Sequence, residues 1–325
     1  MIKVMLQKKL QDRVKELLQN GTVSLFIGYE QGPGFVYVSP CFVRDESGAE
    51  RLVLNQFCSN NLAGYIHEYN AYNRRIGICV KGCDARALVE LVKQNQIRRE
   101  DLFVVGVPCT GRIDISKLRE EYGPKLEEIK GISETERSFL LETVRGTKEI
   151  YKEKIVFDKC LSCTHPEGFE YDILLDELKI PEFGSADPVQ KRVEEMESLS
   201  TAEKNEVWCS YLSQCILCRA CQKACYACYC PECIFDKAYP RWFSKISTTA
   251  QKRLYHLIRA YHLAGRCVDC GECERACPAG IPLRLLNKKI EKETKKLFNN
   301  REAGINQEGV LPLNTFDIDD PDFFL

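Results

Sequence analysis

Two runs of cysteine with the same spacing constrain this chain more than any other feature of its sequence. Each run follows the pattern C-x2-C-x2-C-x3-C. The runs are Cys215, Cys218, Cys221 and Cys225, and then Cys267, Cys270, Cys273 and Cys277, which Pro278 follows. This spacing is typical of bacterial two-cluster ferredoxins, in which a tight loop turns three thiolates toward one cubane. The sequence therefore predicts two [4Fe–4S] clusters in an α-rich, ferredoxin-like domain.

The fourth cysteine of each run is expected to bind the cluster of the other run. We expect it just inside the helix that follows the loop, where it points toward the neighbouring cluster. The predicted ligands of cluster 1 are Cys215, Cys218, Cys221 and Cys277, and those of cluster 2 are Cys267, Cys270, Cys273 and Cys225. Structural zinc is the alternative, although zinc sites usually come as separated C-x2-C pairs rather than as doubled triplets.

Composition argues that these cysteines do not serve as disulfide cross-links. A chain of 325 residues with 44% apolar residues can bury a core without them. We find no export signal and no apolar run of membrane-spanning length, so we expect a cytoplasmic protein with reduced thiols. The net charge of -1 argues against a chain that coats nucleic acid or an anionic membrane. The 19 cysteines therefore indicate metal binding and electron transport.

The distribution of cysteine also suggests domains. Seven cysteines lie in the first half of the chain, twelve lie from Cys209 to Cys277, and a long stretch between the two groups has none. A segment with proline and glycine near residue 185, followed by a Glu-rich run, indicates a linker. The predicted domains are an α/β domain over 1–185 with a candidate iron–sulfur or flavin site, a dicluster ferredoxin-like domain over 186–300, and an acidic, aromatic tail over 301–325.

Strand-like runs in the first domain end at cysteines. RIGICV leads through the turn Lys81-Gly82-Cys83-Asp84 into an amphipathic helix, and DLFVVGVP leads to Cys109. Such a strand–helix–strand unit makes its strands parallel, so both cysteines emerge at the edge where open α/β sheets bind ligands. EKIVFDKC reads as a third strand that ends at Cys160, with Cys163 just beyond it. We predict a partly parallel sheet and a third cluster site made of these four cysteines.

The remaining cysteines have no firm assignment. Cys58 stands in a run that reads as strand, cysteine and helix, and it is either a spare for the third site or a thiol near a second ligand. Cys41 and Cys79 lie within strand-like runs and are expected in the core. Two alternative roles are equally consistent with the next four cysteines: they bind a further metal, or they are buried thiols that pack in the core. These cysteines are Cys209, Cys228, Cys230 and Cys233. Packing or hydrogen bonding is the more common role for His165, His256 and His262.

Three segments together resemble a known family. KGCDARALVEL, VVGVPCTG and CLSCTHP, with the dicluster module, resemble the beta-subunit family of deazaflavin-coenzyme hydrogenases and dehydrogenases, which includes formate dehydrogenase beta subunits. The likeness covers most of residues 20–280, and Cys83, Cys109, Cys160 and Cys163 stand in these segments. It implies an iron–sulfur subunit, often with a flavin such as FAD, that connects a catalytic subunit to a hydride carrier or to a disulfide-reductase-type complex.

The sequence departs from that family in two respects. Many such chains carry their ferredoxin-type motif at the N-terminus, whereas here it lies toward the C-terminus. The chain has no G-x-G-x-x-G, and its nearest glycine cluster, GYEQGPGF, is expected to form a turn. Both departures bear on whether a flavin is present.

Three functions are consistent with these patterns. The leading hypothesis is an electron-transfer subunit of a multi-subunit anaerobic oxidoreductase, which relays electrons between a catalytic subunit and a redox partner and needs no catalytic acid or base. The second is a flavin-containing oxidoreductase that acts on a deazaflavin or nicotinamide coenzyme. The third is a zinc-binding structural or interaction protein. A lysine-rich helix over residues 288–296 could dock an acidic partner, and we expect other subunits of a redox complex as partners.

Overall fold

A computed structural model describes residues 2–69, 75–165, 171–177, 183, 187–243, 247–298, 302–305 and 311–312. The chain divides into two compact units, one made of residues 1–88 and 94–188 and the other of residues 89–93 and 189–325. The division after residue 188 lies close to the predicted boundary. Residue 185 itself and most of the predicted tail, 301–325, lie outside the described residues, so these limits stay predictions.

Strands occur in the first part of the chain. They are β1 (Leu25–Gln31), β2 (Val38–Val43), β3 (Ile76–Val80), β4 (Leu102–Gly106), β5 (Ile129–Glu134), β6 (Ser138–Thr143), β7 (Gly146–Tyr151) and β8 (Ile173–Leu174). The helices of the same part are α1 (Ile2–Gln19), α2 (Gly82–Lys93), α3 (Ile115–Tyr122), α4 (Lys152–Ile155) and α5 (Asp158–Leu161). Short 3₁₀ helices cover Ser47–Arg51, Leu62–Glu68, Arg99–Asp101 and Leu126–Glu128.

A five-stranded mixed sheet lies at the centre of the first unit, in the order β2-β1-β3-β4-β8. β1 and β2 form an antiparallel hairpin whose turn contains Gly34 at φ 99°, while the pairs β1–β3, β3–β4 and β4–β8 are parallel. The apolar strands β3 and β4 are mostly buried, as expected of strands inside a parallel sheet. The predicted partly parallel sheet and the β3–α2–β4 unit are therefore confirmed, as is the turn in GYEQGPGF.

The predicted third strand, EKIVFDKC, is wrong. These residues form the short helices α4 and α5, and Val156 makes only an isolated bridge with Ile113. The apolar side chains of Ile155 and Val156 pack into a core with Phe139 and Ile150 of a second sheet, in the order β5-β6-β7. That antiparallel sheet was not predicted from the sequence. It buries the apolar run that would otherwise have suited a strand, and β8 lies beside β4 instead.

The Cys58 segment also differs from its prediction. The run before Cys58 contributes only an isolated bridge, from Leu52 to Glu30, rather than a strand. A 3₁₀ helix follows over Leu62–Glu68, and the side chain of Asn61 caps it by accepting a hydrogen bond from the Ala63 N–H.

The second unit is α-rich. Its helices are α6 (Pro188–Ser198), α7 (Thr201–Ser213), α8 (Ala220–Lys223), α9 (Thr249–His262), α10 (Glu272–Arg275) and α11 (Leu283–Leu297), and its described residues include no strand. α7 leads into the first cysteine run, α9 lies between the runs, and α11 follows the second. Leu212, Tyr255 and Leu283 from these helices pack in one core with Cys215 and Cys221. Helices therefore surround the cysteine loops on the apolar side.

None of the helices within the described ranges combines the length and the apolar character that crossing a membrane would require.

The N-terminus of α7 provides a test of this arrangement. The Ser200 side chain accepts a hydrogen bond from the Glu203 N–H, and the Glu203 carboxylate accepts one from the Ser200 N–H at 2.7 Å. We expect Ser200→Ala to lower the free energy of unfolding by about 1 kcal/mol, measured by anaerobic urea denaturation. Ser210→Ala makes the same change on the exposed side of the helix and should cost less than about 0.5 kcal/mol. Equal losses would contradict the capping role.

Candidate metal centres

The two cysteine runs of the second unit fold into loops with matching backbone conformations. In each loop the second and fourth residues after the first cysteine are left-handed. These are Leu217 (φ 52°) and Arg219 (φ 61°), and Asp269 (φ 52°) and Gly271 (φ 70°). Each non-glycine residue in this region costs about 1–2 kcal/mol. Alternating right- and left-handed residues turn successive N–H groups into a concavity that binds anions. The N–H of Leu217 already donates to Sγ of Cys215 at 3.3 Å.

A short helix follows the start of each loop and places the last two cysteines. Cys221 lies within α8 and Cys273 lies within α10. Cys225 and Cys277 come just after these helices, not inside them as predicted. Each helix has only four residues and ends in an alanine cap, so the chain has left the helix before the fourth cysteine. The fourth cysteine is thereby free to face away from its own run.

The four predicted thiols of cluster 1 lie close together. Cys215, Cys221 and Cys277 share one core. Burial raises the pKa of Cys215, and Cys221 and Cys277 raise it further. Burial also raises the pKa of Cys221, to which Cys277 and Cys218 add. The structure thus brings Cys277 of the second run to the first three cysteines of the first run.

The four predicted thiols of cluster 2 line one cavity. This open cavity is bounded by Cys225, Cys267, Cys270 and Cys273, together with residues of α9, α10 and α11. Burial raises the pKa of Cys267, and Asp269, Cys273 and Cys225 raise it further. Cys225 therefore faces the second run. The side-chain amide of Asn287 donates to Sγ of Cys273 at 3.6 Å.

Arg259 lies beside both sets of thiols. Only 4% of this residue is exposed, and its Nη2 donates to the Cys221 carbonyl at 3.0 Å. Its Nε has no hydrogen-bond partner among the described residues. Burial opposes its charge, yet nearby thiols, Cys225 and Cys273 foremost, hold its pKa above the ordinary value. A buried guanidinium with an unsatisfied N–H, placed among thiols, fits a negatively charged group at this place.

Other residues of α9 also reach the thiols. His256 Nε2 lies 3.3 Å from Sγ of Cys215, and the Tyr255 hydroxyl lies 3.7 Å from Sγ of Cys221. Burial, and then the charge of Arg259, lower the pKa of His256 to about 4, so its ring is neutral at pH 7. The sequence assigned these residues no role. The sequence pattern that could have identified them is their helical spacing, because positions 255, 256 and 259 share one face of an amphipathic helix.

The first unit brings together a third group of four thiols. Cys83 lies in the first turn of α2 after β3, Cys109 follows β4, and Cys160 lies in α5 with Cys163 just beyond it. Although Cys163 is exposed at the surface, partial burial of its thiol and the neighbouring Cys109, Cys83 and Cys160 together raise its pKa to about 12. The four cysteines predicted for the third site are therefore neighbours. Two of them arrive from a short helix rather than from the end of a strand.

Cations accompany this third group. Arg112 is 5% exposed, and its Nε has no hydrogen-bond partner among the described atoms. Burial opposes the charge of Arg112, but Cys109 and Cys58 hold its pKa above the ordinary value. Burial raises the pKa of Cys83 to about 11, and the ammonium of Lys159 acts against that rise. Positive charge thus lies beside the thiols in this unit as well.

A buried ion pair holds the turn that carries Cys83. Lys81 and Asp84 are 1% and 0% exposed, and their Nζ and Oδ2 atoms are 2.7 Å apart. Lys81 Nζ also donates to the Asn60 carbonyl at 2.9 Å and to the Tyr29 hydroxyl. Asp84 Oδ2 accepts in addition from the backbone N–H of Lys81 at 2.9 Å. These bonds fix the path of the chain between β3 and α2.

Some cysteines outside the three groups lie next to them, since Cys228 is hydrogen-bonded to Cys225 and Cys58 lies near Cys109. Cys58 is fully buried in its own turn, where its Sγ accepts from the Asn55 N–H at 3.3 Å. Cys41 and Cys79 are buried within β2 and β3, as predicted. Sγ of Cys209 accepts from Arg253 at 3.5 Å. Within the described ranges, no three His, Cys, Asp or Glu side chains lie close enough to hold one metal ion. A four-iron cluster binds its four thiolates at different irons and therefore needs a wider group.

Comparison with known proteins finds similarity to one family. Residues 73–229 match the family described as the C terminus of the coenzyme F420 hydrogenase/dehydrogenase beta subunit. The match covers just under half of the chain, which thus resembles this beta-subunit family. The matched region contains all four thiols of the third group and the whole of the first cysteine run. The resemblance inferred from the sequence is thereby confirmed.

Individual members and neighbours of the beta-subunit family are distant in sequence. The F420-dependent formate dehydrogenase subunit beta of Methanocaldococcus jannaschii is 25% identical, over 83% of this chain and 84% of the relative. The F420-dependent formate dehydrogenase 1 subunit beta of Methanococcus maripaludis is 28% identical, over 34% of this chain and 30% of the relative. A chain of the F420-reducing [NiFe] hydrogenase complex from Methanosarcina barkeri superimposes with a TM-score of 0.40 at 16% identity, over 49% of this chain and 62% of that chain.

The buried ion pair next to Cys83 makes a prediction about stability. Asp84→Asn leaves the buried Lys81 ammonium without a negative partner, so we expect the free energy of unfolding to fall by about 3–5 kcal/mol. Asp12→Asn is the matched control, because Asp12 pairs with Lys8 at 3.0 Å with both side chains more than half exposed. It should cost less than about 1 kcal/mol. Anaerobic urea denaturation measures both, and a small loss in Asp84→Asn would show that the pair does not support the fold.

Proposed function

We propose that this chain is an iron–sulfur electron-transfer subunit of a multi-subunit anaerobic oxidoreductase, where it relays electrons between a catalytic subunit and a redox partner. The observation that carries the proposal is the gathering of thiols into three groups of four, two beside Arg259 and one beside Arg112. Such a donor set suits [4Fe–4S] clusters. The proposed ligands are Cys215, Cys218, Cys221 and Cys277 for cluster 1, Cys267, Cys270, Cys273 and Cys225 for cluster 2, and Cys83, Cys109, Cys160 and Cys163 for cluster 3.

The clusters would supply one-electron redox chemistry, and the residues around them would set its potential. A positive charge and hydrogen bonds to the sulfurs favour the more negative, reduced state of a cluster. Arg259 supplies the charge near clusters 1 and 2, and Arg112 supplies it near cluster 3. Hydrogen bonds to sulfur come from the Leu217 N–H and the Asn287 amide. Packing by α9 and α11 limits access of water to these sulfurs.

The relatives support the subunit role and suggest the coenzyme. Two of them are named as beta subunits of F420-dependent formate dehydrogenases. We infer that the complex of this chain exchanges electrons with the deazaflavin F420. The resemblance noted in the sequence implies a second candidate function, in which the chain itself holds FAD and transfers hydride to or from the deazaflavin. The second candidate differs from the first by requiring flavin in the isolated chain.

Analysis of anaerobically purified, reconstituted protein tests the proposal. Three clusters give about twelve irons and twelve acid-labile sulfides per chain, and the C-terminal pair alone gives about eight. Flavin released by acid would support the second candidate. Zinc without sulfide, or no iron after reconstitution, would overturn the electron-transfer role.

The third site has its own test. We expect Cys83→Ser to lose about four irons per chain and one electron paramagnetic resonance (EPR) signal, because one ligand of a [4Fe–4S] cluster is removed. Cys41→Ser makes the same change at a buried thiol of β2 that belongs to none of the three groups, and it should keep its iron. Unchanged iron in Cys83→Ser, or equal losses in the two variants, would remove cluster 3 from the proposal.

The proposal that each run supplies its fourth cysteine to the cluster of the other run can be tested by comparing which EPR signal each serine variant perturbs. Cys277→Ser should perturb the same EPR signal as Cys221→Ser, although these cysteines belong to different runs. Cys225→Ser should perturb the same signal as Cys273→Ser. If Cys225→Ser instead groups with Cys221→Ser, each run binds its own cluster and the crossed assignment is wrong.

A further inference from the structure

The lysine-rich helix α11 does not present a free basic surface. Four of its lysines pair with carboxylates of the same helix or of other parts of the second unit. The pairs are Lys288–Asp269, Lys288–Glu291, Lys289–Glu197, Lys289–Glu293, Lys292–Glu197 and Lys295–Glu291. Docking of an acidic partner on this helix, which the sequence suggested, would have to compete with these internal pairs.

A different segment carries positive charge that its own sequence does not balance. Between Asp236 and Asp269 there is no acidic residue. The same stretch contains seven cationic residues, namely Lys237, Arg241, Lys245, Lys252, Arg253, Arg259 and Arg266. The whole chain has a net charge of -1, so this excess is local. α9 forms the middle of the segment.

Two cations of α9 lie beside the entrance to the first cysteine loop. Lys252 Nζ donates to the carbonyl of Ser213 at 2.8 Å, two residues before Cys215. Arg253 is exposed and donates to Sγ of Cys209 in α7. In the described part of the chain, neither cation forms an ion pair, since their contacts are with a carbonyl and a thiol. Their charge is therefore available to a partner.

The first cysteine loop itself reaches the surface. Ile216, between two proposed ligands of cluster 1, is 67% exposed, and Cys218 is also exposed. Leu257 lies one turn after Arg253 on α9 and is exposed as well. Exposed apolar side chains, with cations on the adjoining helix, have the composition of a protein interface. The exposed thiol marks where cluster 1 would come nearest to a docked molecule.

We propose that this surface, made of Ile216, Cys218, Lys252, Arg253 and Leu257, docks an acidic redox protein that exchanges electrons with cluster 1. The inference rests on the proposed function for the electron transfer. One electron passes between the two redox centres, so that one is oxidised as the other is reduced, and no bond is made or broken. The cations draw an acidic carrier toward the loop, and the apolar side chains provide the contact once it is docked.

The test measures binding and electron transfer with a small acidic two-[4Fe–4S] ferredoxin as the probe. Arg253→Glu should weaken binding to the immobilised ferredoxin and slow electron transfer roughly tenfold at low ionic strength, and salt should abolish the difference. Lys296→Glu on α11 is the matched control, because it is an exposed cation outside this surface and changes the net charge equally. It should bind and react like the wild type. Unchanged iron content and EPR spectra in both variants confirm that the clusters are intact.

A second variant tests the apolar part. Ile216→Ser leaves the charge unaltered and should weaken binding about fivefold, because it removes exposed apolar contact area. The docking proposal is overturned if the ferredoxin does not bind, if Arg253→Glu and Lys296→Glu have equal effects, or if a DNA duplex binds in place of the ferredoxin. Binding is measured without electron transfer, so a chain that lacks clusters would sink the proposed function but would still show whether the surface docks an acidic protein.

Discussion

Positive charge buried beside thiols is the condition on which the rest of this structure depends. Burial raises the pKa of nearly every thiol in the three groups for which a shift is resolved, so cluster assembly in the folded chain must displace protons. Arg112 and Arg259 remain charged whatever the pH and lie against the thiols. They favour the thiolate and offset the negative charge of a bound cluster. Each would be costly to bury without such an anion.

The groups of the second unit could be predicted from the sequence because their determinants are local. The spacing within each run and the left-handed residues of each loop turn three thiols inward over a few residues. Pairing of the fourth cysteine with the other run also follows from the motif. Arg259 and His256 could not be assigned in this way. Their contact with the thiols depends on how α9 packs, and amphipathic periodicity shows which face is buried but not what covers it.

The sequence predicted that the four thiols of the first unit are neighbours, but part of the reasoning behind this prediction was wrong. Parallel strands correctly predicted that Cys83 and Cys109 meet at one edge of the sheet. Cys160 and Cys163 reach the same place from α5, because the apolar residues before them pack on the second sheet. A short apolar run is compatible with a strand or a helix, and only the tertiary partner decides between them. The position of a cysteine was thus more predictable than the element that carries it.

α9 would make the two proposed clusters of the second unit electrically dependent on each other. Arg259 interacts with Cys221, a proposed ligand of cluster 1, and with Cys225 and Cys273, proposed ligands of cluster 2. Its charge would therefore act on both reduction potentials together, and reduction of one proposed cluster would change the electric field at the other. The crossed fourth ligands would also link the two runs covalently, because each cluster would be bound by cysteines from the loop before α9 and from the loop after it. If both clusters are bound as proposed, the two runs and α9 would behave as one cooperative redox unit rather than as two separable motifs.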